Sequence, residues 1–168
     1  AIEHAARALR SALDADGVRV EIVAGAEVAI DRLDALTDAD LAALHLGDGP
    51  WILLESPLRG GALGDIEPVV SALQAGGHRI LLAHPERSPM FQRDPEQLDR
   101  LVSSGVLTSV TASAFCGSFG SRVQRSVVRL AREGLVHNVS SDMHDLRGRA
   151  PGIADPVRSA EPELPGLS

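Results

Sequence analysis

The sequence predicts an α/β domain in which parallel strands alternate with helices. Five short segments are rich in apolar residues, and we interpret them as strands covered on both faces, in which apolar residues are typically consecutive and do not alternate with polar ones. They occupy residues 18–23, 51–54, 80–83, 107–110 and 135–139. Polar residues follow at a regular spacing, with 28 positions from Glu27 to Glu55 and 29 from Glu55 to His84. A strand with its crossover helix takes about 30 residues, so the spacing indicates repeated β/α units with polar residues at one end of the sheet.

Two helical patterns lie in the first part of the chain. A stripe from Ile2 to Leu13 has helical spacing, and Gly17 is placed to end it before the first apolar segment. Residues 36–46 form a weaker pattern, with Thr37 as a candidate N-cap. The order therefore begins helix, strand, helix, strand.

Three further helices are predicted between the later segments. A stripe over residues 66–73 stops at Gly76. The next helix begins with Asp94 as N-cap, followed by proline at the first helical position, and it ends at Gly105. The last covers residues 123–131. Each helix precedes a strand, which is the connectivity of a parallel sheet.

The composition fits one globular domain of 168 residues with 44% hydrophobic content. No apolar run approaches the roughly 18 residues that cross a bilayer, and no secretory leader opens the chain, so we expect a cytoplasmic protein without a membrane anchor. A single cysteine agrees with a reducing compartment. The net charge of -7 argues against a nucleic-acid partner, because phosphate backbones are held by clustered Lys and Arg.

Residues 1–152 are predicted to form a partial barrel domain, and residues 153–168 a poorly ordered tail that contains several prolines. Ala1 is not an initiator Met and lies at the start of a helix, so a first strand is expected to be missing. Five strands cannot close a parallel barrel, which needs about eight. We expect either an open sheet or a piece of a longer chain that lacks one or two β/α units.

Two carboxylates follow apolar strands and need cations. Glu27 and Glu55 lie where an unpaired charge is costly to bury. The partner is either an arginine from a nearby loop, such as Arg59 or Arg87, or a metal ion. The other ligand types at the same end of the sheet favour the metal.

Two motifs place histidines after later strands. His84 is a candidate metal ligand, and Arg87 can hold a phosphate through two hydrogen bonds. Glu86 between them is expected to be a solvated or ion-paired loop residue. Asp142 and His144 form an Asp-x-His motif in which both side chains can reach one divalent ion. The alternative is that Asp142 caps a turn and His144 lies on the surface.

Other chemistries are not indicated. No glycine-rich nucleotide loop of the usual spacing occurs, and we expect no nucleophilic role for Cys116. Asp145 is a weaker ligand candidate than Asp142. The remaining histidines are expected to be structural or solvated: His4, His45, His78 and His137.

Taken in order, the motifs resemble those of the bacterial PHP-type (polymerase and histidinol phosphatase) tyrosine phosphatases of capsule and exopolysaccharide biosynthesis, the CpsB/CapC/YwqE-like group. The matching blocks are Gly25-Ala26-Glu27-Val28, Leu53-Leu54-Glu55-Ser56-Pro57, His84-Pro85-Glu86-Arg87, Val110-Thr111-Ala112-Ser113 with Gly117-Ser118-Phe119-Gly120, Gly134-Leu135-Val136-His137 and Ser141-Asp142-Met143-His144. Their order is more specific than any single block.

The resemblance implies a distorted β/α barrel with a site for up to three ions, manganese or iron, that hydrolyses phosphotyrosine with metal-activated water. Arg87 would then hold the substrate phosphate and act in catalysis. The implied substrate is a tyrosine-phosphorylated protein, such as the tail of a bacterial tyrosine kinase. The metal ligands implied by the resemblance are Glu27, Glu55, His84, Asp142 and His144.

The chain departs from the family pattern at its start. The family opens with a His-x-His pair, a nearby Asp and a further His, and none of these is present here. We therefore expect this chain alone to be inactive or to bind fewer metal ions. Two alternatives stay open: another PHP phosphoesterase, such as a histidinol phosphatase, and a non-catalytic barrel fragment.

Overall fold

The computed structural model describes residues 2–58, 64–160, 162 and 164. Strands and helices alternate along the chain, which confirms the predicted α/β class. The first half contains α1 (Ile2–Ala15), β1 (Glu27–Ala29), a 3-10 helix (Ile30–Ala35), α2 (Asp38–Ala43), β2 (Trp51–Glu55) and α3 (Glu67–Ala75). The second half contains β3 (Arg79–Ala83), a 3-10 turn (Pro85–Arg87), α4 (Pro89–Arg93), α5 (Pro95–Ser103), β4 (Leu107–Thr111), α6 (Ala112–Phe115), α7 (Ser121–Arg132), β5 (Asn138–Ser140) and α8 (Ala154–Arg158).

The five strands form one parallel sheet in chain order, β1-β2-β3-β4-β5. Strands that are consecutive in the chain are also neighbours in the sheet, so each crossover adds the next strand at the same edge. This is the connectivity of a barrel wall. Glu27 is in register with Leu53, and Glu55 with Ala83. The carboxyl ends of β2 and β3 therefore lie side by side, and Ser109 of β4 is level with Ala83.

The two faces of the sheet differ in burial. On the face covered by helices, Ile52, Leu54, Ile80 and Leu82 have no exposed surface. They pack in one core with apolar helix residues, among them Val70, Leu98, Leu101, Val127 and Leu130. Burying each such side chain contributes about 1.5–3 kcal/mol. The opposite face lines a cavity, and there Leu53 of β2 and Leu81 of β3 are half-buried whereas Ser109 of β4 is buried. The prediction of strands buried on both faces is therefore correct for β4 and correct only in part for β2 and β3.

The predicted strand at residues 18–23 is wrong. These residues form no strand, and Val18, Val20 and Val23 are 47%, 55% and 64% exposed. A strand needs a hydrogen-bonded neighbour, and no described segment pairs with this one. The first strand is β1, so Glu27 lies within it and does not follow it. The last strand is also shorter than predicted and begins at Asn138.

Several predicted helix ends are confirmed. Thr37 accepts a hydrogen bond from the Asp40 N–H, and the Asp40 side chain accepts from the Thr37 N–H, which is a complete capping box. Asp94 caps α5 by accepting from the Gln97 N–H. Gly105 follows that helix with φ +94°, a left-handed conformation that favours glycine.

Residues 161, 163 and 165–168 of the predicted tail lie outside the described residues, so the expectation of poor order over 153–168 stays a prediction. Helix α8 lies beside α6, and Ala160 and Leu164 are 3% and 7% exposed within the main core. With Val157 they recur at helical spacing, which gives this segment an apolar face to bury. A domain boundary at residue 152 stays a prediction. Arg59, named above as a possible ion-pair partner, lies outside the described residues.

No helix in the described ranges is both long enough and apolar enough to span a bilayer.

Candidate metal centre

Three of the predicted ligands converge at the sheet. Glu27 comes from β1, Glu55 ends β2, and His84 follows β3. Each offers one ligand atom, and the three atoms lie within 4.8 Å of one another. His84 Nε2 is 3.2 Å from Glu27 Oε2 and 3.7 Å from Glu55 Oε1.

The backbone of His84 directs its ring to this point. The residue has φ 32° and ψ 55°, a left-handed conformation that is uncommon outside glycine. Its N–H donates to the Ser109 carbonyl at 2.7 Å, and Pro85 begins the following turn. Strained backbone of this kind persists where the surrounding structure holds it, often at functional sites.

The two carboxylates have opposite pKa shifts. The pKa of Glu27 is lowered, mainly by its hydrogen bond to His84 and against the effect of burial. The pKa of Glu55 is raised, first by burial and then by the negative charge of Glu27. Two carboxylates that share a half-buried site repel each other, and a divalent cation between them would remove that cost.

The donor set fits a divalent ion. Two carboxylate oxygens and one imidazole nitrogen suit manganese, iron and zinc. Donors about 2.0–2.2 Å from one ion lie roughly 3–4 Å apart, which matches the two distances measured from His84. His84 Nδ1 is buried without a hydrogen-bond partner in the described chain, so Nε2 is the nitrogen that faces the carboxylates.

Asp142 borders the same site but is held by arginines. It lines a cavity of about 230 Å³ together with Glu27 and His84. Its Oδ2 accepts a hydrogen bond from Arg87 Nη1 at 2.7 Å and a second one from Arg149 Nη2. Its φ of 48° is left-handed, which turns the chain sharply after β5.

His144 is not brought into the cluster. Its side chain is 57% exposed. Nδ1 lies 2.9 Å from the Asp142 carbonyl oxygen, and Nε2 lies 3.0 Å from Arg149 Nη1. The turn after Asp142 is built on Asp145, which accepts hydrogen bonds from three backbone N–H groups, and these lower its pKa. The local turn therefore holds His144 at the surface.

Arg149 was not predicted as a site residue. It contacts the same carboxylate as Arg87, and burial and the nearby Arg87 charge lower its pKa. Two guanidinium groups on one carboxylate form an anion-binding pair that suits a phosphate equally well. The signal available in the sequence was a basic loop directly after the Asp-x-His motif, with Arg147 and Arg149.

Glu86 is neither solvated nor ion-paired, so that prediction is wrong. It has no exposed surface, and its Oε1 accepts a hydrogen bond from the Thr111 N–H at 2.9 Å. Burial raises its pKa. The turn that carries Arg87 folds inward against the end of β4, and this inward packing takes Glu86 out of water.

The cavity face is lined by small polar groups. Asn138 Nδ2 donates to Ser109 Oγ at 2.7 Å, and Ser109 Oγ lies 3.5 Å from Ser140 Oγ. Uncharged side chains at these positions keep the cavity polar without adding ligands.

Other histidines make structural contacts, as expected. His45 Nε2 lies 2.9 Å from His78 Nδ1, and His137 Nδ1 accepts from the Thr108 N–H at 3.2 Å.

Cys116 and Arg122 have the Cys-x5-Arg spacing of thiol phosphatases, which qualifies the expectation of no role for Cys116. The spacing alone is weak support for such a site. In the structure the thiol is exposed and its Sγ donates to the Ser113 carbonyl at 3.3 Å. The S–H group is therefore directed to the backbone of its own turn.

Comparison with known proteins places this geometry in a family. A family model described as capsular polysaccharide synthesis, CpsB/CapC, matches residues 1–164. The tyrosine-protein phosphatase YwqE of Bacillus subtilis (strain 168) is 30% identical over 152 residues, which cover 89% of this chain and 58% of YwqE. CapC of Staphylococcus aureus is 31% identical over 77 residues, 46% of this chain and 30% of CapC.

A solved structure also matches. It belongs to a study of YwqE from Bacillus subtilis and CpsB from Streptococcus pneumoniae, described as unique metal-dependent tyrosine phosphatases. The TM-score is 0.83 at 27% identity, and the match covers 97% of this chain and 66% of that chain. The chain thus spans little more than half the length of YwqE. By sequence and by structure, it belongs to the CpsB/CapC family of capsular polysaccharide synthesis.

Proposed function

We propose that this chain forms the larger part of a metal-dependent phosphatase that hydrolyses phosphotyrosine in proteins. The observation that carries the proposal is the convergence of Glu27, Glu55 and His84 within 4.8 Å. Arg87 and Arg149 lie together on Asp142, which borders the same cavity. Metal-dependent tyrosine phosphatase activity of the structural relative supports the assignment.

The residues divide the work between holding a metal and holding a phosphate. Glu27, Glu55 and His84 would hold a divalent ion through two oxygens and one nitrogen. When bound, such an ion polarises phosphate oxygens and lowers the pKa of water that attacks phosphorus. We assign the metal as manganese or iron, in line with the family resemblance.

Arg87 binds the phosphate of the substrate in this proposal. Its guanidinium pairs with Asp142 and lies 4.6 Å from the centre of the Phe119 ring. A phosphate dianion offers more acceptor oxygens than one carboxylate, so it competes for both Arg87 and Arg149. Their charges then offset the negative charge that develops on the equatorial oxygens.

Release of Asp142 from the arginines gives it a second role. We propose that Asp142 and His144 then act as further metal ligands, as the family resemblance implies. The substrate is proposed to be a tyrosine-phosphorylated protein, with a tyrosine-kinase tail as the specific partner. A cytoplasmic location stays a prediction.

Phosphate release from a phosphotyrosine peptide tests the function. We expect Mn²⁺-dependent turnover that EDTA abolishes and that His84→Ala lowers by at least about 100-fold, since a metal ligand is lost. Arg87→Ala should raise KM, because the phosphate loses a ligand, and should also lower kcat, because the charge that develops on the equatorial oxygens is then less well offset. Arg32→Ala, at an exposed position that belongs neither to the ligand cluster nor to the cavity lining, is the control.

Comparison with a second substrate and with YwqE makes this assay more specific. Faster turnover of histidinol phosphate than of the peptide, or turnover that survives His84→Ala, would contradict the proposal. Turnover equal to that of YwqE would contradict the separate expectation that this chain alone is inactive or binds fewer metal ions.

A further inference from the structure

Helix α7 concentrates positive charge in an acidic protein. Its twelve residues include four arginines, at positions 122, 125, 129 and 132, and no acidic residue. The chain as a whole has a net charge of -7 at pH 7. A charged helix face is commonly just solvated, so the contacts of these arginines decide whether the helix does more.

Three of the arginines line a shallow groove of about 170 Å³, which we call the α7 groove. Its walls also include a glutamine from α4 and a largely buried serine, and the full set is Gln92, Arg122, Arg125, Ser126 and Arg129. Concave surfaces with several donors at one side bind anions better than a flat solvated face does, because one ligand can reach several donors.

The positive charge of the α7 groove is only partly neutralised by carboxylates of the described chain. Arg122 and Arg125 are exposed and have no carboxylate partner among the described residues. Arg129 Nε lies 3.5 Å from Glu133 Oε2, yet Nε and Nη2 are buried and donate no hydrogen bond in that part of the chain. In an acidic chain that pairs Arg87 and other arginines with carboxylates, this leaves the exposed donors of Arg122 and Arg125 available to an external anion.

The α7 groove adjoins the turn that carries Arg87. Gln92 Nε2, on the groove wall, donates to the Glu86 carbonyl at 2.7 Å. The Phe119 ring lies 4.6 Å from Arg87 Cζ, and Arg122 follows three residues later in the first turn of α7. A polypeptide that placed a phosphate on Arg87 would therefore pass close to the groove.

We propose that the α7 groove binds anionic side chains that flank the phosphotyrosine of a substrate polypeptide. The proposal rests on the proposed function. The ligand chemistry is a carboxylate of Asp or Glu or a second phosphotyrosine, both of which accept hydrogen bonds from Arg122 and Arg125. A nucleic acid is not favoured, because the positive surface is confined to one helix of an acidic chain.

The length of the α7 groove limits how far the anionic residue of the substrate lies from the phosphotyrosine. Arg122 and Arg129 are seven residues apart on one helix, which is about 10 Å along its axis. An extended peptide covers about 3.3 Å per residue, so the groove accommodates about three residues. We therefore expect the anionic side chains within about four positions of the phosphotyrosine.

Fluorescence anisotropy with labelled peptides tests the groove. Each peptide carries a non-hydrolysable phosphonate analogue of phosphotyrosine at its centre, and the four nearest positions on each side contain glutamate, a second phosphonate or glutamine. In Mn²⁺ buffer we expect one or both anionic peptides to bind about fivefold to tenfold more tightly than the glutamine peptide. The advantage should shrink as salt is raised. The tighter of the two anionic peptides identifies the source of the charge.

Paired variants separate the groove from general charge effects. The double variant Arg122→Ala/Arg125→Ala should lose the advantage of the anionic peptides and keep the affinity for the glutamine peptide. Arg19→Ala/Arg32→Ala removes the same charge from exposed positions outside α7 and should keep the advantage. An advantage that survives in the first variant, or that falls equally in the control, overturns the proposal.

The same experiment distinguishes failure of the groove from failure of the proposed function. Wild-type protein that binds the free phosphonate amino acid but does not discriminate between the peptides overturns the groove alone. In the opposite case, wild-type protein does not bind the phosphonate but binds an unphosphorylated glutamate peptide through Arg122 and Arg125. This result would overturn the phosphotyrosine function and support the anion groove.

Discussion

The Glu86 carboxyl group has no exposed surface, although it lies between a metal-ligand candidate and a phosphate-binding candidate. Its Oε1 accepts from the Thr111 N–H, and its Oε2 is buried without a hydrogen-bond partner in the described chain. Burial raises its pKa, so the protonated form is favoured in the folded protein. The residue joins the Arg87 turn to β4 at the cost of burying an ionisable group.

This burial predicts a pH-dependent effect of Glu86→Gln. The unfolded chain loses the Glu86 proton near pH 4, whereas the folded chain keeps it to higher pH. The contribution of wild-type Glu86 to stability is therefore greatest below about pH 4 and declines as pH rises toward the folded pKa. Glutamine keeps an acceptor for Thr111 and carries no charge, so at pH 7 we expect the variant to be more stable by about 1–3 kcal/mol.

Urea unfolding in EDTA at several pH values between 4 and 8 measures this difference. Glu96→Gln, at an exposed position of α5, controls for the loss of one carboxylate. A stability difference between Glu86→Gln and wild type that stays constant over the whole pH range would contradict the assignment.

Among the elements, β2 shows best how one strand serves two environments. Leu54 has no exposed surface and packs in the core under the helices, whereas Leu53 lies on the opposite face and lines the cavity. Glu55 ends the strand and joins the ligand cluster. The alternation of strand side chains therefore separates the protein core from the site.

Alanine substitution at these two neighbouring leucines tests the division. We expect Leu54→Ala to lower the free energy of unfolding by about 2–5 kcal/mol, because it leaves a cavity in a closely packed core. Leu53→Ala should cost roughly 1 kcal/mol, because its side chain is already partly in contact with solvent. Guanidinium unfolding of the two variants measures both values, and equal losses would show that the two faces are packed alike.

Across the molecule, the ligand cluster connects three strands that are adjacent in the sheet. Glu27, Glu55 and His84 belong to β1, β2 and the end of β3. A bound ion would link these strands, so metal binding and sheet stability are coupled. The strand at the sheet edge, β1, has three residues and gains most from such a link.

The coupling predicts a thermal shift with Mn²⁺. At a concentration 100 times the Kd, binding stabilises the folded chain by about 2.7 kcal/mol, which raises Tm by roughly 5–10 °C for a chain of this size. The shift should fall as pH is lowered from 7 toward 5, because protons compete for the ligands and the raised pKa of Glu55 makes it an early competitor.

His84→Ala should abolish the Mn²⁺ shift, whereas Glu96→Gln should retain it. Differential scanning fluorimetry with and without EDTA measures the effect. A shift of full size in His84→Ala would place the ion elsewhere.

Much of the fold could be predicted because it depends on local pattern. Strands β2, β3 and β4 and the ends of α2 and α5 follow from apolar runs and capping residues that lie close together in the chain. The strand predicted at residues 18–23 is wrong because strand formation there depends on more than the local pattern. An apolar run has strand propensity, but it forms a strand only where a neighbour supplies hydrogen bonds.

Some residues of the candidate site could likewise be predicted from local pattern, and others could not. The regular spacing of Glu27, Glu55 and His84 predicted that they lie at one end of the sheet, because each strand repeats the same geometry. Asp142 follows His84 at twice that spacing and borders the same cavity. His144 lies two residues further on in the irregular turn after β5, where regular spacing does not predict the direction of a side chain, and it stays at the surface.

The sequence by itself determined the class of the fold, the order of its strands and the residue types available for metal and phosphate. Only the tertiary structure decided which groups are paired or buried. Arg87 and Asp142 are 55 residues apart, and Glu86 and Thr111 are 25 apart, yet both pairs are in hydrogen-bond contact. Side-chain pairing and loss of solvent depend on packing between distant segments, and no local pattern encodes that packing.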